Sequence, residues 1–317
     1  GSLGSYYSIR DYCAVDPGLG TMGDFDAFVA EAHRLGMKVL LDWVANHTAR
    51  DARWVGEKPA DWYERDAAGA PAVPWDWTDT AKLNYANRDV WRAEADAMEF
   101  WVRRHAVDGF RCDMAEMVPV EFWEWAIPQV KEAYPEILFI AEVYNPGEYR
   151  NYLFRGKFDY LYDKVGLYDT LRNVACGYES ASAITHCWQS LNGIEKKMLN
   201  FLENHDEQRI ASDFFAGNPH KGIPALIVSA CMNTNPMMIY FGQEFGELGM
   251  DSEGFSGRDG RTTIFDYWSV DSIRRWRNGG KFDGKMLTEE HKHLYSIYQK
   301  VLTICNCLLY TSPSPRD

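Results

Sequence analysis

Short apolar runs alternate with amphipathic segments along most of this chain, and this alternation limits the folds open to it. The apolar runs have the length of strands that are covered on both faces, and the amphipathic segments carry apolar residues at helical spacing. Strand followed by helix, repeated along a chain, indicates a parallel sheet with right-handed crossovers. Six such strands are predicted, beginning at Lys38, Val107, Ile137, Phe158, Met198 and Met237.

The predicted fold is therefore of the α/β class. The six strand–helix units fit a truncated (β/α)8 TIM barrel in which the first two strands are missing. A doubly wound sheet is the alternative arrangement of the same units. No GxGxxG or GxxxxGK(S/T) motif follows any of the predicted strands, which removes the usual support for that alternative.

The predicted barrel is interrupted once. Residues 1–47 and 88–306 are expected to form the partial barrel, which is the catalytic domain. Residues 48–87 are rich in Trp, Asp, Ala and Pro and lack a sustained period, so we predict a short subdomain inserted after the third barrel strand. Residues 307–317 show no helical period and are interpreted as an artefactual tail.

Composition excludes several classes of protein. The chain has 46 acidic and 33 basic side chains, and its net charge of −13 disfavours nonspecific binding of nucleic acid. No run of 18 apolar residues is present, so no membrane span is predicted. The seven cysteines are an odd count without a CxxC pair, which argues against a disulfide framework or a zinc knuckle. Twelve Trp and 18 Tyr on an acidic chain suit a neutral polar ligand. Compartment and oligomeric state are left open.

Polar residues cluster where the predicted strands end, which is where chemistry gathers in a parallel barrel. Four such segments are present: Asp42-Trp-Val-Ala-Asn46-His47, Gly109-Phe-Arg111-Cys-Asp113, Ala141-Glu142-Val, and Glu203-Asn-His205-Asp206. Asp113 and Glu142 are about one strand–helix unit apart, and Asp206 follows about two units later. The sequence therefore predicts three carboxylates on one rim of the barrel.

The residue types in these segments suit the cleavage of a glycosidic bond. Strand alternation puts Arg111 and Asp113 on one face, where the guanidinium would keep the carboxylate ionised and oriented as a nucleophile. The apolar residues before Glu142 favour its protonated form, as a general acid requires. Asp206 would accept hydrogen bonds from ring hydroxyls as the sugar approaches an oxocarbenium ion.

These four motifs, in this order, resemble those of glycoside hydrolase family 13, the α-amylase superfamily. The resemblance implies that Asp113 is the nucleophile, Glu142 the acid/base and Asp206 the stabiliser of the transition state. It also implies that Tyr7, His47, Arg111 and His205 bind the sugar. No cofactor is required in this reading; Asn46 matches a position that binds calcium in many members.

The resemblance implies a retaining hydrolase of α-glucans or maltooligosaccharides that acts by double displacement. Many α-amylases carry Lys-His three and four residues after the nucleophile, but this chain has Glu116 and Met117, so neopullulanases and oligosaccharide hydrolases stay open. A transglycosylase or isomerase with the same site is one alternative. A non-catalytic, amylase-like transporter subunit is another, although such proteins lack the three carboxylates.

Overall fold

A computed structural model describes residues 4–251, 257–262 and 269–311, with side chains described as far as residue 306. The chain divides into two compact units, Gly1–Leu161 and Tyr162–Asp317. Among the described residues, no helix has the length and apolar character needed to cross a membrane.

Among its described residues, the first unit contains four α-helices, several shorter helical turns and most of the parallel strands. Its helices are α1 (Met22–Arg34), α2 (Arg53–Glu57), α3 (Arg88–His105) and α4 (Val120–Ala133). Its strands are β1 (Leu40–Trp43), β2 (His47–Ala49), β3 (Thr80–Lys82), β4 (Gly109–Cys112) and β5 (Leu138–Ala141), with β6 (Tyr160–Tyr162) at the boundary.

Strands β1, β4, β5 and β6 pair in that order, and every pair is parallel. In the register of this sheet, Asp42 lies opposite Arg111, and Cys112 lies opposite Ala141. Asp113 and Glu142 are thus the first residues beyond two neighbouring strands. Their backbone N–H groups continue the ladder, donating to the carbonyls of Trp43 and Cys112. The sheet thereby sets two acidic residues side by side.

Helix α3 begins and ends as the sequence predicts, at Arg88 and His105. The Asn87 side chain caps its first turn by accepting the N–H of Asp89, and Ala106 ends it in the left-handed conformation. One face of the helix is buried, and its buried apolar residues recur at helical spacing (Val90, Trp91, Ala95, Met98, Trp101, Val102).

The segment 48–87 contains structure that its composition does not predict. Strands β2 and β3 pair antiparallel, and an isolated bridge joins Tyr63 to Leu83. A small core of Trp62, Tyr63, Ala81, Leu83 and Val90 underlies this pair. Strands of three residues are too short to show a period, so sequence inspection misses them. That the segment is an inserted subdomain stays a prediction.

The second unit contains β7 (Met198–Phe201), β8 (Met237–Met238), and helices α5 (Asp169–Cys176), α6 (Ser182–Leu191), α7 (Ile223–Cys231), α8 (Asp271–Arg277) and α9 (Glu289–Thr311). Strands β7 and β8 pair parallel, with Asn200 opposite Met237. The sequence predicts the last strand as far as Phe241, but pairing stops at Met238. The reason is a turn in which Tyr240 and Gln243 exchange hydrogen bonds.

Two further details of this unit differ from the sequence prediction. Helix α8 lies inside a stretch that we expect to be a Gly-rich loop. Helix α9 is predicted to end at Ile304 but runs on to Thr311, into the segment interpreted as a tail. Residues 312–317 of that segment lie outside the described residues, and its interpretation as an artefact stays a prediction.

Candidate active site

Arg111 is the centre of the site in the first unit. It is the third residue of β4, and its side chain is nearly buried. Its Nη1 lies 2.9 Å from Oδ1 of Asp42 and 2.8 Å from Oδ1 of Asp113, and its Nη2 lies 2.8 Å from Oε2 of Glu142. One guanidinium therefore contacts three carboxylates from three neighbouring strand ends.

Asp113 and Glu142 are both removed from water, with 9% and 2% of their side-chain surfaces exposed. Burial raises the pKa of Asp113, and the negative charges of Glu142 and Asp42 raise it further, while Arg111 acts in the opposite direction. One guanidinium is thus shared by three carboxyl groups, two of which are buried. The sequence predicts that Arg111 keeps Asp113 ionised, whereas in the structure burial outweighs the guanidinium and raises the pKa of Asp113.

Both oxygens of the Glu142 carboxylate have donors. Oε1 accepts a 2.6 Å hydrogen bond from the hydroxyl of Tyr144, and Oε2 accepts a 2.9 Å hydrogen bond from the backbone N–H of Met114. Met114 has a left-handed backbone, with a φ of 39°, directly after Asp113. That conformation is unfavourable for a side chain of this size, and it turns the N–H of Met114 toward Glu142.

Tyr7 is fixed at its hydroxyl and at its backbone. The hydroxyl donates a 2.7 Å hydrogen bond to Oδ2 of Asp42, and the backbone carbonyl lies 3.1 Å from Nε2 of His47. The ring lies 5.9 Å from the guanidinium carbon of Arg111. The phenol, Asp42 and Arg111 thus form one connected chain of contacts that ends at the buried carboxylates.

The contacts of His47 assign its protonation. Burial lowers the pKa of His47 to about 4, so the ring is neutral at pH 7. A backbone carbonyl can only accept, so Nε2 carries the hydrogen and donates to Tyr7, and Nδ1 accepts from Nδ2 of Asn46 at 3.2 Å. The ring of Trp77 packs 5.4 Å from that of His47.

Asn46 is predicted as a calcium ligand by resemblance. The amide nitrogen of this buried side chain is engaged by His47, so its carbonyl oxygen is the group suited to calcium. Within the described ranges there is no group of three or more His, Cys, Asp or Glu that could hold a metal ion. The described residues therefore do not by themselves form an acidic metal centre, and calcium at Asn46 stays a prediction.

The fourth motif lies in the second unit, after β7. Asn204 accepts the N–H groups of Asp206 and Glu207, which forms a tight turn. Nε2 of His205 lies 3.1 Å from Oδ2 of Asp206. The side chain of Asp206 is 35% exposed, and it is therefore accessible to a ligand as well as to solvent.

Two glutamates flank this turn and are held differently. Glu203 is buried and accepts from Nη1 of Arg209, which has no exposed surface, and from the N–H of Ile210. Oxygens of Glu207 lie 3.0 Å from the hydroxyl of Tyr168 and 3.3 Å from Nζ of Lys164. Both glutamates are engaged by the protein itself, which leaves Asp206 as the accessible carboxylate of the motif.

The structure thus brings Tyr7, His47, Arg111, Asp113 and Glu142 into one network in the first unit. It brings His205 and Asp206 together in the second. Sequence reasoning missed Asp42 and Tyr144 as partners of this network, although both lie within or beside the quoted motifs. It noted Glu116 as a departure from the family pattern and assigned no contact to it.

Two buried carboxyl groups, joined by an arginine, thus lie at neighbouring ends of parallel strands, which is where active sites lie in parallel barrels. A family model described as "Alpha amylase, catalytic domain" matches residues 4–81 and 60–281, and the chain belongs to this family. The predicted α/β class and truncated (β/α)8 barrel are confirmed by this match and by structural neighbours that include alpha-amylases.

Three relatives illustrate the similarity. Alpha-amylase MalA of Haloarcula japonica is 32% identical over 256 residues, which are 77% of this chain and 37% of that protein. Alpha-amylase 3 of Dictyoglomus thermophilum is 27% identical over 94% of this chain and 66% of its own length. The crystal structure of the maltogenic alpha-amylase AmyB of Thermotoga neapolitana has a TM-score of 0.72 at 28% identity, covering 96% of this chain and 64% of that one. This chain therefore spans less than two thirds of the length of these relatives.

Proposed function

We propose that the protein is a retaining glycoside hydrolase that cleaves α-glucosidic bonds in α-glucans or maltooligosaccharides. One observation carries the proposal: a single guanidinium, that of Arg111, contacts two buried carboxyl groups, Asp113 and Glu142, that follow neighbouring strands. A retaining enzyme needs two such groups close together, one ionised and one protonated. Two buried carboxyl groups that contact the same guanidinium are held close together, as this mechanism requires.

In the first step, a carboxylate oxygen of Asp113 attacks the anomeric carbon. The bond from that carbon to the glycosidic oxygen breaks as the leaving oxygen receives the proton of Glu142. The products are a covalent glycosyl ester on Asp113, an ionised Glu142 and the departing sugar. Arg111 stays beside both carboxyls, so it compensates the charge that moves from one to the other.

In the second step, water attacks the anomeric carbon and Glu142 takes a proton from it. The ester bond breaks, Asp113 regains its charge and Glu142 regains its proton, so the starting state returns with the anomeric configuration retained. The roles of the remaining residues are part of the proposal. Asp206 stabilises the transition state, and Tyr7, His47, Arg111 and His205 bind the sugar.

A transglycosylase is the second candidate, because it differs only in the acceptor of the second step. An alpha-1,4-glucan:maltose-1-phosphate maltosyltransferase of Rhodospirillum rubrum is 36% identical over 152 residues, or 44% of this chain. Relatives named intracellular maltogenic amylase and neopullulanase 2 favour hydrolysis, and they match over 78% and 77% of the chain. The three carboxylates speak against a non-catalytic subunit.

The test is to incubate the protein with maltooligosaccharides, pullulan and cyclodextrins and to determine product sizes and the anomeric form first released. We expect shortened α-anomeric products, and longer products would favour the transglycosylase.

A 2-fluoro or 5-fluoro α-glucosyl fluoride should trap an ester on the peptide that contains Asp113. Asp113→Asn and Glu142→Gln should abolish turnover. Glu121→Gln, which alters an exposed carboxylate paired with Arg155, is the matched control. Normal turnover by Asp113→Asn would refute the proposal.

A further inference from the structure

Glu116 occupies a position where the resemblance leads one to expect lysine, and the structure gives it a specific set of contacts. It lies in the short turn Ala115–Met117, directly after Asp113 and Met114. Its Oε1 accepts the backbone N–H of Tyr144 at 3.0 Å, and its Oε2 accepts the backbone N–H of Asn145 at 3.2 Å. Both oxygens therefore hold two consecutive residues of the loop that follows β5.

The residue held in this way is the one that contacts the acid/base. The hydroxyl of Tyr144 donates to Oε1 of Glu142 at 2.6 Å, a shorter contact than those of Arg111 and Met114 with the same carboxylate. The same two loops are joined in the other direction, because the N–H of Met114 donates to Oε2 of Glu142 and the N–H of Ala115 donates to its carbonyl. The loop of Asp113 and the loop of Glu142 are thus interlocked.

We infer that Glu116 and Tyr144 are positioning residues that fix the carboxyl of Glu142 for proton transfer, with Glu116 acting through Tyr144. This inference rests on the proposed function and deepens it. Glu116 holds the backbone of Tyr144, the tyrosine hydroxyl then fixes one oxygen of Glu142, and the loop after Asp113 fixes the other.

The direction of the effect follows from the hydrogen bond. A hydroxyl that donates to a carboxylate oxygen stabilises the ionised form of the acid. Tyr144 therefore assists Glu142 when this residue gives up its proton. The same hydrogen bond limits rotation of the carboxyl group away from the glycosidic oxygen that receives the proton. A lysine in place of Glu116 could not hold this loop, because its ammonium group has no acceptor for the two backbone N–H groups.

The first arm of the test is kinetic. Tyr144→Phe keeps the ring and the two hydrogen bonds from the backbone of residues 144 and 145 to Glu116, which we call the clamp. It removes the hydroxyl that donates to Glu142. The value of kcat should therefore fall about tenfold, the loss expected for one hydrogen bond to a charged group. The alkaline limb of the pH–rate profile should move to higher pH, and KM should change little. Glu148→Gln is the matched control, because Glu148 is a carboxylate of the same loop that accepts from Asn151 and has no role at Glu142. An unmoved profile in Tyr144→Phe would overturn the inference.

The second arm does not depend on activity. Amide hydrogen exchange of a peptide spanning residues 142–147 should be faster in Glu116→Ala than in the unsubstituted protein, because two N–H groups lose their acceptor. Glu116→Gln keeps one acceptor and should lie between the two in exchange and in kcat. The melting temperature of each protein checks that it is folded. Equal exchange in the unsubstituted protein and in both Glu116 variants would overturn the inference that Glu116 holds this loop. Failure of the unsubstituted protein to hydrolyse any glucan would contradict the proposed function, whereas this arm would still decide the clamp.

Discussion

Arg111 lies opposite Asp42 in the parallel register of β4 and β1, with Nη1 of the arginine 2.9 Å from Oδ1 of the aspartate. The same nitrogen contacts Asp113, so Asp42 and the proposed nucleophile share one cationic group. Asp42 also accepts the hydroxyl of Tyr7. Asp42 therefore connects Tyr7, which is proposed to bind the sugar, with the proposed catalytic pair, and it adds a negative charge to the site.

Replacing Asp42 with Asn should move the acidic limb of the pH–rate profile to lower pH. The charge of Asp42 raises the pKa of Asp113, so its removal favours the ionised nucleophile at lower pH. The amide keeps a carbonyl that can accept from Tyr7. The measurement is kcat/KM against pH at low and high salt, and the shift should be smaller at high salt. Asp89→Asn, at an exposed pair with Arg92, is the control; an acidic limb that moves upward would contradict the argument.

Replacing Arg111 with Met should destabilise the protein by about 3–5 kcal/mol, because buried carboxylates lose their common partner. Arg111→Lys should recover part of the stability but little of the activity, since an ammonium cannot reproduce the fork that reaches Asp113 and Glu142. Urea denaturation and kcat/KM report the two effects. Arg92→Lys, at an exposed pair, should change neither quantity measurably. Full activity in Arg111→Lys would show that the fork has no catalytic importance.

Stability should fall as the pH is lowered from about 6.5 to about 4, in part because of His47. Burial lowers its pKa to about 4, whereas in the unfolded chain the imidazole has its ordinary pKa of about 6.5. Between these values the unfolded state binds more protons, so acid favours unfolding, by about 3 kcal/mol in all for this group. Denaturation of the wild type and of His47→Gln across this range isolates the contribution. The variant should lose that part of the slope; an unchanged slope would mean that His47 is protonated in the folded state.

Glu203→Gln should cost about 3–5 kcal/mol of stability, because Arg209 is fully buried and Glu203 is its carboxylate partner at 2.9 Å. A double-mutant cycle compares the wild type with Glu203→Leu, with Arg209→Met and with the two changes combined. The combined variant should be less destabilised than the sum of the two single changes, since it leaves no buried charge. Thermal unfolding of the four proteins completes the cycle. Additive losses would show that the pair contributes no coupling free energy.

Residue spacing along the sequence predicted the helices and strands whose formation depends mainly on the residues within them. The bounds of α3 follow from the spacing of its apolar residues, and the alternation along β4 places Arg111 beside Asp113 as observed. The predicted strands extend beyond the paired residues because apolar character continues past the last ladder hydrogen bond, as at Met237–Phe241. Helix α8 and strands β2 and β3 were missed because short elements carry too few residues to reveal a period.

The motifs named the carboxylates, and their spacing along the chain was enough to expect Asp113 and Glu142 at adjoining strand ends. Only the tertiary structure decided that one guanidinium contacts Asp42, Asp113 and Glu142 together, and that Tyr144, held by Glu116, donates to Glu142. Such contacts depend on strand register and loop geometry between residues far apart in sequence, and no local period encodes them. Burial and neighbouring charge, which set where the proton resides, likewise exist only after the chain has folded.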